Sequence, residues 1–190
     1  MTSVRSIQNG ATVTGRTGRS LMGALGLAEP MTNRPPGSFN IPSRTGTDMP
    51  NDLLAQLAEI ERIEYVKQSN EANLAPVAGL RVYAGNDDLF ARTLDIGEAG
   101  GILVASHIVG PQMRRMVDEP EHRAEIDSSL RDVYRTLFLT ASPTCTKAAL
   151  EMLGHCGGRL RLPMVQADET ERDAVRAMLE HHHLLQTAGA

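Results

Sequence analysis

The sequence predicts an α/β fold in which four strand and helix units precede a helical C-terminal third. Two patterns and one bulk property support this prediction. From Phe39 onward, short apolar segments alternate with segments of helical periodicity. Beyond about residue 118, only amphipathic helical segments follow. The 190 residues, of which 41% are apolar, suffice for one domain with a sizeable hydrophobic core.

The strands are predicted, in chain order, at 39–41, 63–67, 80–84 and 101–106. Pro42 ends the first of them. Helices are predicted at 50–60, from about 89, around 112–117, and at 121–139, 144–153 and 168–179. Asp87 or Asp88 is expected to cap the backbone amides of the helix near 89.

Four units cannot close a barrel of eight strands, which typically needs about 250 residues. The chain is therefore either a small open sheet or part of a barrel. In both cases the carboxyl ends of parallel strands form the edge where active sites lie. The polar or small residues at these ends are Asn40, Arg44, Lys67, Gly85, Ser106 and His107.

Lys67 is the first candidate for chemistry. It is one of only two lysines in the sequence, and the remaining Lys and Arg residues are all arginines. An arginine stays charged, whereas a lysine amine can lose its proton in a dry pocket and become a nucleophile. Lys67 is therefore a candidate for imine chemistry; the alternative is a solvated lysine at the end of a strand.

Composition excludes several classes of protein. The net charge of -4, 3% aromatic residues and no Trp argue against a nucleic-acid stacking platform. Cys145 and Cys156 provide neither a disulfide framework nor a metal quartet. No apolar run of about 18 residues predicts a membrane span, and no secretory signal is evident, so the expected location is the cytoplasm. The histidines 181–183 point about 100° apart along a helix, so no metal site is expected.

The segment 1–38 differs in composition, being rich in Gly, Thr, Ser and Arg. Residues 10–17 match a phosphate-binding loop in which arginine replaces the lysine. A basic, acid-poor start is also typical of a transit peptide. We favour a divergent, poorly ordered segment, followed by barrel units at 39–118, a helical region at 119–185 and a tail at 186–190.

Six segments, in order, resemble the dihydrodipicolinate synthase family over about four fifths of the chain. They are FNIPSRTG, EYVKQSN, VYAGNDD, AGGILVASH, SPTCTKAALEMLG and RLRLPM. The family is a (β/α)8 barrel with extra C-terminal helices. The resemblance therefore implies a partial TIM barrel, made of about the second four βα units, followed by helices.

The resemblance also implies a reaction. In the family, the lysine that Lys67 matches forms a Schiff base with pyruvate, and the resulting enamine adds to aspartate semialdehyde in lysine biosynthesis. Arg44 matches the arginine that recognises the semialdehyde carboxylate, which disfavours another 2-keto acid aldolase. Ile102 matches the main-chain contact to pyruvate. Neither a metal nor a cofactor is implied.

Two departures qualify this expectation. Phe39 stands at the family's relay tyrosine and lacks its hydroxyl. The family's paired threonines and first strands have no counterpart, although 31–37 echoes one family segment. The alternative is a truncated, non-catalytic relative serving as an assembly or regulatory module, or a gene remnant. A half barrel would expose a strand edge and inner-face Val, Ile and Leu, so we expect a homo-oligomer.

Overall fold

The computed structural model describes residues 12–14, 37–155 and 157–185. Within these ranges the strands are β1 (Thr12–Thr14), β2 (Gly37–Asn40), β3 (Tyr65–Gln68), β4 (Arg81–Ala84) and β5 (Gly100–Ile102). The helices are α1 (Pro42–Thr45), α2 (Asn51–Leu57), α3 (Phe90–Asp95), α4 (Ser106–Asp118), α5 (Arg123–Ser129), α6 (Arg131–Leu137), α7 (Thr144–Met152) and α8 (Glu169–His181).

The strands form one sheet in the order β1, β5, β4, β3, β2. Strands β2, β3, β4 and β5 pair in parallel with one another, whereas β1 runs antiparallel to β5. The predicted α/β fold with four successive parallel strands is therefore confirmed. Because parallel strands put their carboxyl ends at one edge, the residues that follow β2, β3, β4 and β5 converge there.

The two faces of the sheet differ in chemistry because successive side chains point to opposite sides. Val66 and Val82 are buried in a core with Leu54 of α2, Phe90 of α3 and Met113 of α4. This apolar face fixes the register of the strands. It leaves the alternate residues of β2, β3 and β4 on the opposite face.

That opposite face was expected to expose Val, Ile and Leu, and this expectation is wrong for β2 to β4. In register across the sheet, Phe39 lies beside Lys67, and Lys67 lies beside Tyr83. Tyr65, two residues before Lys67, packs edge to face on Tyr83 with 5.8 Å between the ring centroids. This polar-aromatic face therefore carries aromatic rings, the Lys67 amine and the Arg81 guanidinium.

Strand β5 ends at Ile102, earlier than the predicted 101–106. The amides of Val104 and Ala105 instead donate to the carboxylate of Asp87, at 3.0 and 2.9 Å. This interaction turns the chain away from the sheet and into α4. It also corrects the predicted capping role, because the Asp87 side chain binds this neighbouring loop and Asp88 makes no capping hydrogen bond.

The helix predicted over 121–139 is divided into a 3₁₀ turn at Pro120–His122, then α5 and α6. The break lies at Leu130, whose φ of -104° and ψ of 2° leave the helical region. The Ser129 hydroxyl donates to the carbonyl of Ile126 at 2.7 Å, a local bond that competes with helix continuation. Periodicity alone did not reveal this break.

Most of the segment 1–38 lies outside the described residues. The structure describes β1 and the start of β2, which begins at Gly37. Several interpretations therefore stay predictions. They are the phosphate-binding loop, the transit peptide, the similarity of 31–37 to a family segment, the interpretation of Cys156 and the tail at 186–190. Across the described part of the chain, no helix is both long and apolar enough to cross a membrane.

Candidate active site

Lys67 and Phe39 lie together on the polar-aromatic face of the sheet. The Lys67 Nζ sits 4.1 Å from the centroid of the Phe39 ring. Parallel pairing of β2 with β3 places the two residues side by side, so their contact follows directly from the register. Phe39 remains 45% exposed because β2 is the edge strand on this side of the described sheet.

Opposing effects act on the pKa of the Lys67 amine, and burial is the largest of those that the surrounding protein exerts. Burial lowers the pKa of Lys67 below its ordinary value, and the negative charge of Asp87 opposes this by raising it. The Phe39 ring also favours the charged form, since a cation is attracted to an aromatic face. Burial therefore acts against the ammonium form of Lys67, whereas Asp87 and the Phe39 ring act in its favour.

Asp87 is the residue that links Lys67 to the rest of the site. It follows β4, is 2% exposed, and accepts two backbone hydrogen bonds through Oδ1. Its Oδ2 has no hydrogen-bond partner among the described residues. Burial raises the pKa of this carboxyl to about 6, and the backbone hydrogen bonds and Lys67 only partly offset the shift.

A cleft of about 960 Å³ opens beside Asp87. Its size is that of a small-molecule site. Three arginines, from α1 and α6, give it cationic groups suited to carboxylates: Arg44, Arg131 and Arg135. It is also lined by Ile41, Ser43, Asn86, Asp87, Asp88, Tyr134, Phe138 and Leu139. Lys67 does not line this cleft. Asp87 connects them, because it lines the cleft and its charge acts on Lys67.

The loop that carries Arg44 is closed at its base by Asn40. The Asn40 amide donates to Asp48 at 2.8 Å and to the carbonyl of Met49 at 3.1 Å, and its oxygen accepts from the Met49 amide at 3.1 Å. Asp48 also accepts from Asn73 at 3.0 Å, which ties this loop to the one after β3. Arg44 is thus held at the strand-end edge although its own side chain is exposed.

The remaining predicted site residue, Ile102, is the last residue of β5 and is half-buried. Sequence reasoning missed Asp87 as a site residue and Asn40 as a loop clamp. Both are buried polar residues at strand ends, since Asn40 is the last residue of β2 and Asp87 is the third residue after β4. That position, rather than any motif, was the available signal.

The model of the dihydrodipicolinate synthetase family matches residues 27–182, which is most of the chain. The chain belongs to the dihydrodipicolinate synthetase family. The resemblance stated from the sequence is confirmed.

Individual relatives agree with this assignment. The 4-hydroxy-tetrahydrodipicolinate synthase of Cyanothece sp. is 32% identical over 172 residues, which is 84% of this chain and 58% of that protein. The enzyme of the same name from Acaryochloris marina is 36% identical over 156 residues, 75% of this chain and 53% of the relative. The crystal structure of dihydrodipicolinate synthase from Thermotoga maritima has 28% identity and a TM-score of 0.74, covering 78% of this chain and 56% of that one.

The chain spans little more than half the length of these dihydrodipicolinate synthase relatives. Family membership and the parallel α/β sheet are therefore shown. The roles of Lys67, Phe39, Arg44 and Ile102, and the partial barrel, stay predictions.

Proposed function

We propose that this chain acts as a Schiff-base lyase of the dihydrodipicolinate synthase type, condensing pyruvate with aspartate semialdehyde. The observation that carries the proposal is the half-buried amine of Lys67 at the carboxyl end of a parallel strand, with its pKa lowered by burial. A lowered pKa increases the share of free amine, which is the form that attacks a ketone to give an imine. The relatives that cover most of the chain bear the name of a synthase.

In the proposed reaction, the Lys67 amine attacks the ketone carbon of pyruvate, and loss of water leaves a protonated imine. The imine withdraws electrons, so the pyruvate methyl group loses a proton and becomes an enamine carbon nucleophile. This carbon adds to the aldehyde carbon of aspartate semialdehyde, whose oxygen takes up a proton. The amino group of the semialdehyde then attacks the imine carbon, and the Lys67 amine leaves as the product ring closes. The imine acts as the electron sink, so the scheme needs no metal or cofactor.

Arg44 serves as the clamp for the semialdehyde carboxylate. Arg44 lines the cleft together with Asp87 and makes no ion pair within the described part of the chain. A planar guanidinium with several donors binds a carboxylate through two parallel hydrogen bonds. Ile102 provides the main-chain contact to pyruvate at the end of β5. The active chain is a homo-oligomer located in the cytoplasm.

The test is reductive trapping with pyruvate and borohydride, followed by mass spectrometry of the peptides. We expect one pyruvate-derived adduct per chain, located on Lys67. Lys67→Arg should lose the adduct, because an arginine cannot form the imine. Lys147→Arg removes the only other lysine of the sequence and should leave labelling intact. An unlabelled wild-type chain contradicts the proposed function.

Arg44→Ala is expected to weaken use of the second substrate and not of the first. Loss of a hydrogen bond to a charged group costs about 1.5–3 kcal/mol, so the KM for aspartate semialdehyde should rise roughly 10 to 150-fold. Trapping of pyruvate on Lys67 should stay unchanged. Arg161→Ala, which alters an exposed arginine outside the cleft, is the control. If Arg44→Ala lost the trapping of pyruvate on Lys67 as strongly as it lost the use of aspartate semialdehyde, Arg44 would act in the pyruvate step instead.

A second candidate function is a non-catalytic relative that serves in assembly or regulation. The observation that favours it is the contact between Phe39 and Lys67, because the ring supplies no hydroxyl and stabilises the ammonium form. The trapping experiment separates the two candidates. A non-catalytic chain would remain unlabelled even at high pyruvate concentration.

A further inference from the structure

The end of α8 meets α6 at a cluster of three side chains that bind metals, Asp132, His181 and His182. The His182 Nε2 lies 2.9 Å from one oxygen of Asp132 and 3.0 Å from the other. One nitrogen or oxygen from each of the three residues lies within 4.8 Å of the others. This cluster is separate from Lys67 and from the arginine-lined cleft.

Consecutive histidines on a helix were expected to diverge, and the geometric reason for excluding a site here is wrong. The helix α8 ends at His181, and His182 is its cap, with φ of -88° and ψ of 8°. The two rings lie 5.0 Å apart between centroids and 88° apart between planes. Two imidazoles on one tetrahedral ion, with metal–nitrogen bonds of about 2.0–2.1 Å, also place their centroids about 5 Å apart.

We propose that Asp132, His181 and His182 form a binding site for a divalent transition-metal ion of the zinc class. Two imidazole nitrogens and a carboxylate oxygen suit zinc and its neighbours, whereas magnesium and calcium prefer oxygen ligands alone. Three protein ligands leave the fourth tetrahedral position to water. Binding needs only a small approach of the exposed His181 ring, because His182 and Asp132 are already in contact.

The ion would act as a bridge between distant parts of the chain. Asp132 belongs to α6 and lies 50 residues before His182 in the sequence. These ligands meet only in the folded chain, so a bound ion stabilises the folded state. Without the ion, the hydrogen bond between His182 and Asp132 holds the same contact. The helix α6 also carries Arg131 and Tyr134, which line the cleft, so a bound ion would stabilise that side of the cleft.

The test is calorimetric titration of the metal-free full chain with zinc sulfate at pH 7.5. Three matched variants, His181→Asn, His182→Asn and His183→Asn, each remove one histidine of the same run. Asparagine is chosen because His183 has a positive φ of 54°, which asparagine tolerates. His183 lies outside the cluster and serves as the control.

We expect one zinc ion per wild-type chain and unchanged affinity in His183→Asn. His181→Asn and His182→Asn should weaken binding by more than the roughly 10 to 100-fold that loss of a supporting hydrogen bond to a ligand costs. Zinc should raise the Tm of the wild type and not that of His181→Asn.

Two results would overturn the proposal. One is no zinc binding by the wild type. The other is equal weakening in all three variants, which would show that the histidine run binds the ion without Asp132 and the folded cluster. His181 is exposed, so its variant is expected to fold even if His182→Asn does not. Asp132→Asn then tests the carboxylate ligand independently.

Discussion

Phe39→Tyr is expected to raise the rate of imine formation between Lys67 and pyruvate by about 100 to 10,000-fold, the usual contribution of a positioned acid or base. The Phe39 ring lies 4.1 Å from the Lys67 Nζ, so a hydroxyl on that ring would enter the space next to the reacting amine. It could pass protons to and from the carbinolamine oxygen as water leaves. Stopped-flow trapping with pyruvate and borohydride measures the rate.

Two control variants separate the hydroxyl from the ring. Phe39→Leu removes the aromatic face without adding a hydroxyl; it should slightly favour the free amine and change the rate far less than tyrosine does. Phe138→Tyr adds a hydroxyl elsewhere, in the cleft, and should have no effect on trapping. Equal rates in Phe39→Tyr and Phe39→Leu would mean that the missing hydroxyl does not limit the reaction.

Asp87→Asn is expected to remove a large pH dependence of stability. The Asp87 pKa is about 6 in the folded chain and near 3.8 when unfolded. Below both values the carboxyl is protonated in either state, and above both it is ionised in either state. Between them only the folded chain holds the proton, so stability falls as pH rises from about 4 to 6. Two pKa units correspond to about 3 kcal/mol of unfolding free energy.

Denaturant unfolding of both chains between pH 4 and 7 measures this difference. Asparagine keeps a carbonyl oxygen that can accept from the amides of Val104 and Ala105, so the loop contact should survive. Asp88→Asn, on the exposed neighbouring residue, removes only a minor contribution to the Asp87 pKa and should retain most of the wild-type slope. If Asp87→Asn retains it too, Asp87 is not the buried group that titrates in this range.

The same variant should also change the chemistry of Lys67. The Asp87 charge raises the Lys67 pKa, so its removal leaves burial less opposed. The trapping rate should then reach its plateau at a lower pH than in the wild type. In the control Asp88→Asn, the pH dependence of the trapping rate should follow that of the wild type.

The parts of the fold that sequence predicted are those with strong local patterns. Buried apolar runs placed the first residue of each of the four parallel strands within two residues of its observed position. They placed the last residue within one, except that β5 ends four residues earlier than predicted. Lys67 and Phe39 were identified by residue type and resemblance, and the register placed them in contact. The roles proposed for them await experiment.

The features that escaped prediction depend on contacts between distant segments. Asp87 is held by amides 17 and 18 residues further along the chain, which no local signal at GNDD shows. The cluster at His182 depends on Asp132, 50 residues earlier. The strand β1 has only three residues and a weak pattern, so its place beside β5 follows from pairing alone.

The antiparallel strand β1 has a topological consequence. A ring of eight parallel strands has one polarity throughout, and the neighbour of β5 in such a ring must run parallel to it. Thr12–Thr14 occupies that position in the opposite direction. A second polypeptide could therefore complete the ring only by exchanging β1 out of the sheet. While β1 stays in place, a further strand can pair in parallel with the β2–β5 set only at β2, and at the other edge it would have to pair with β1 instead.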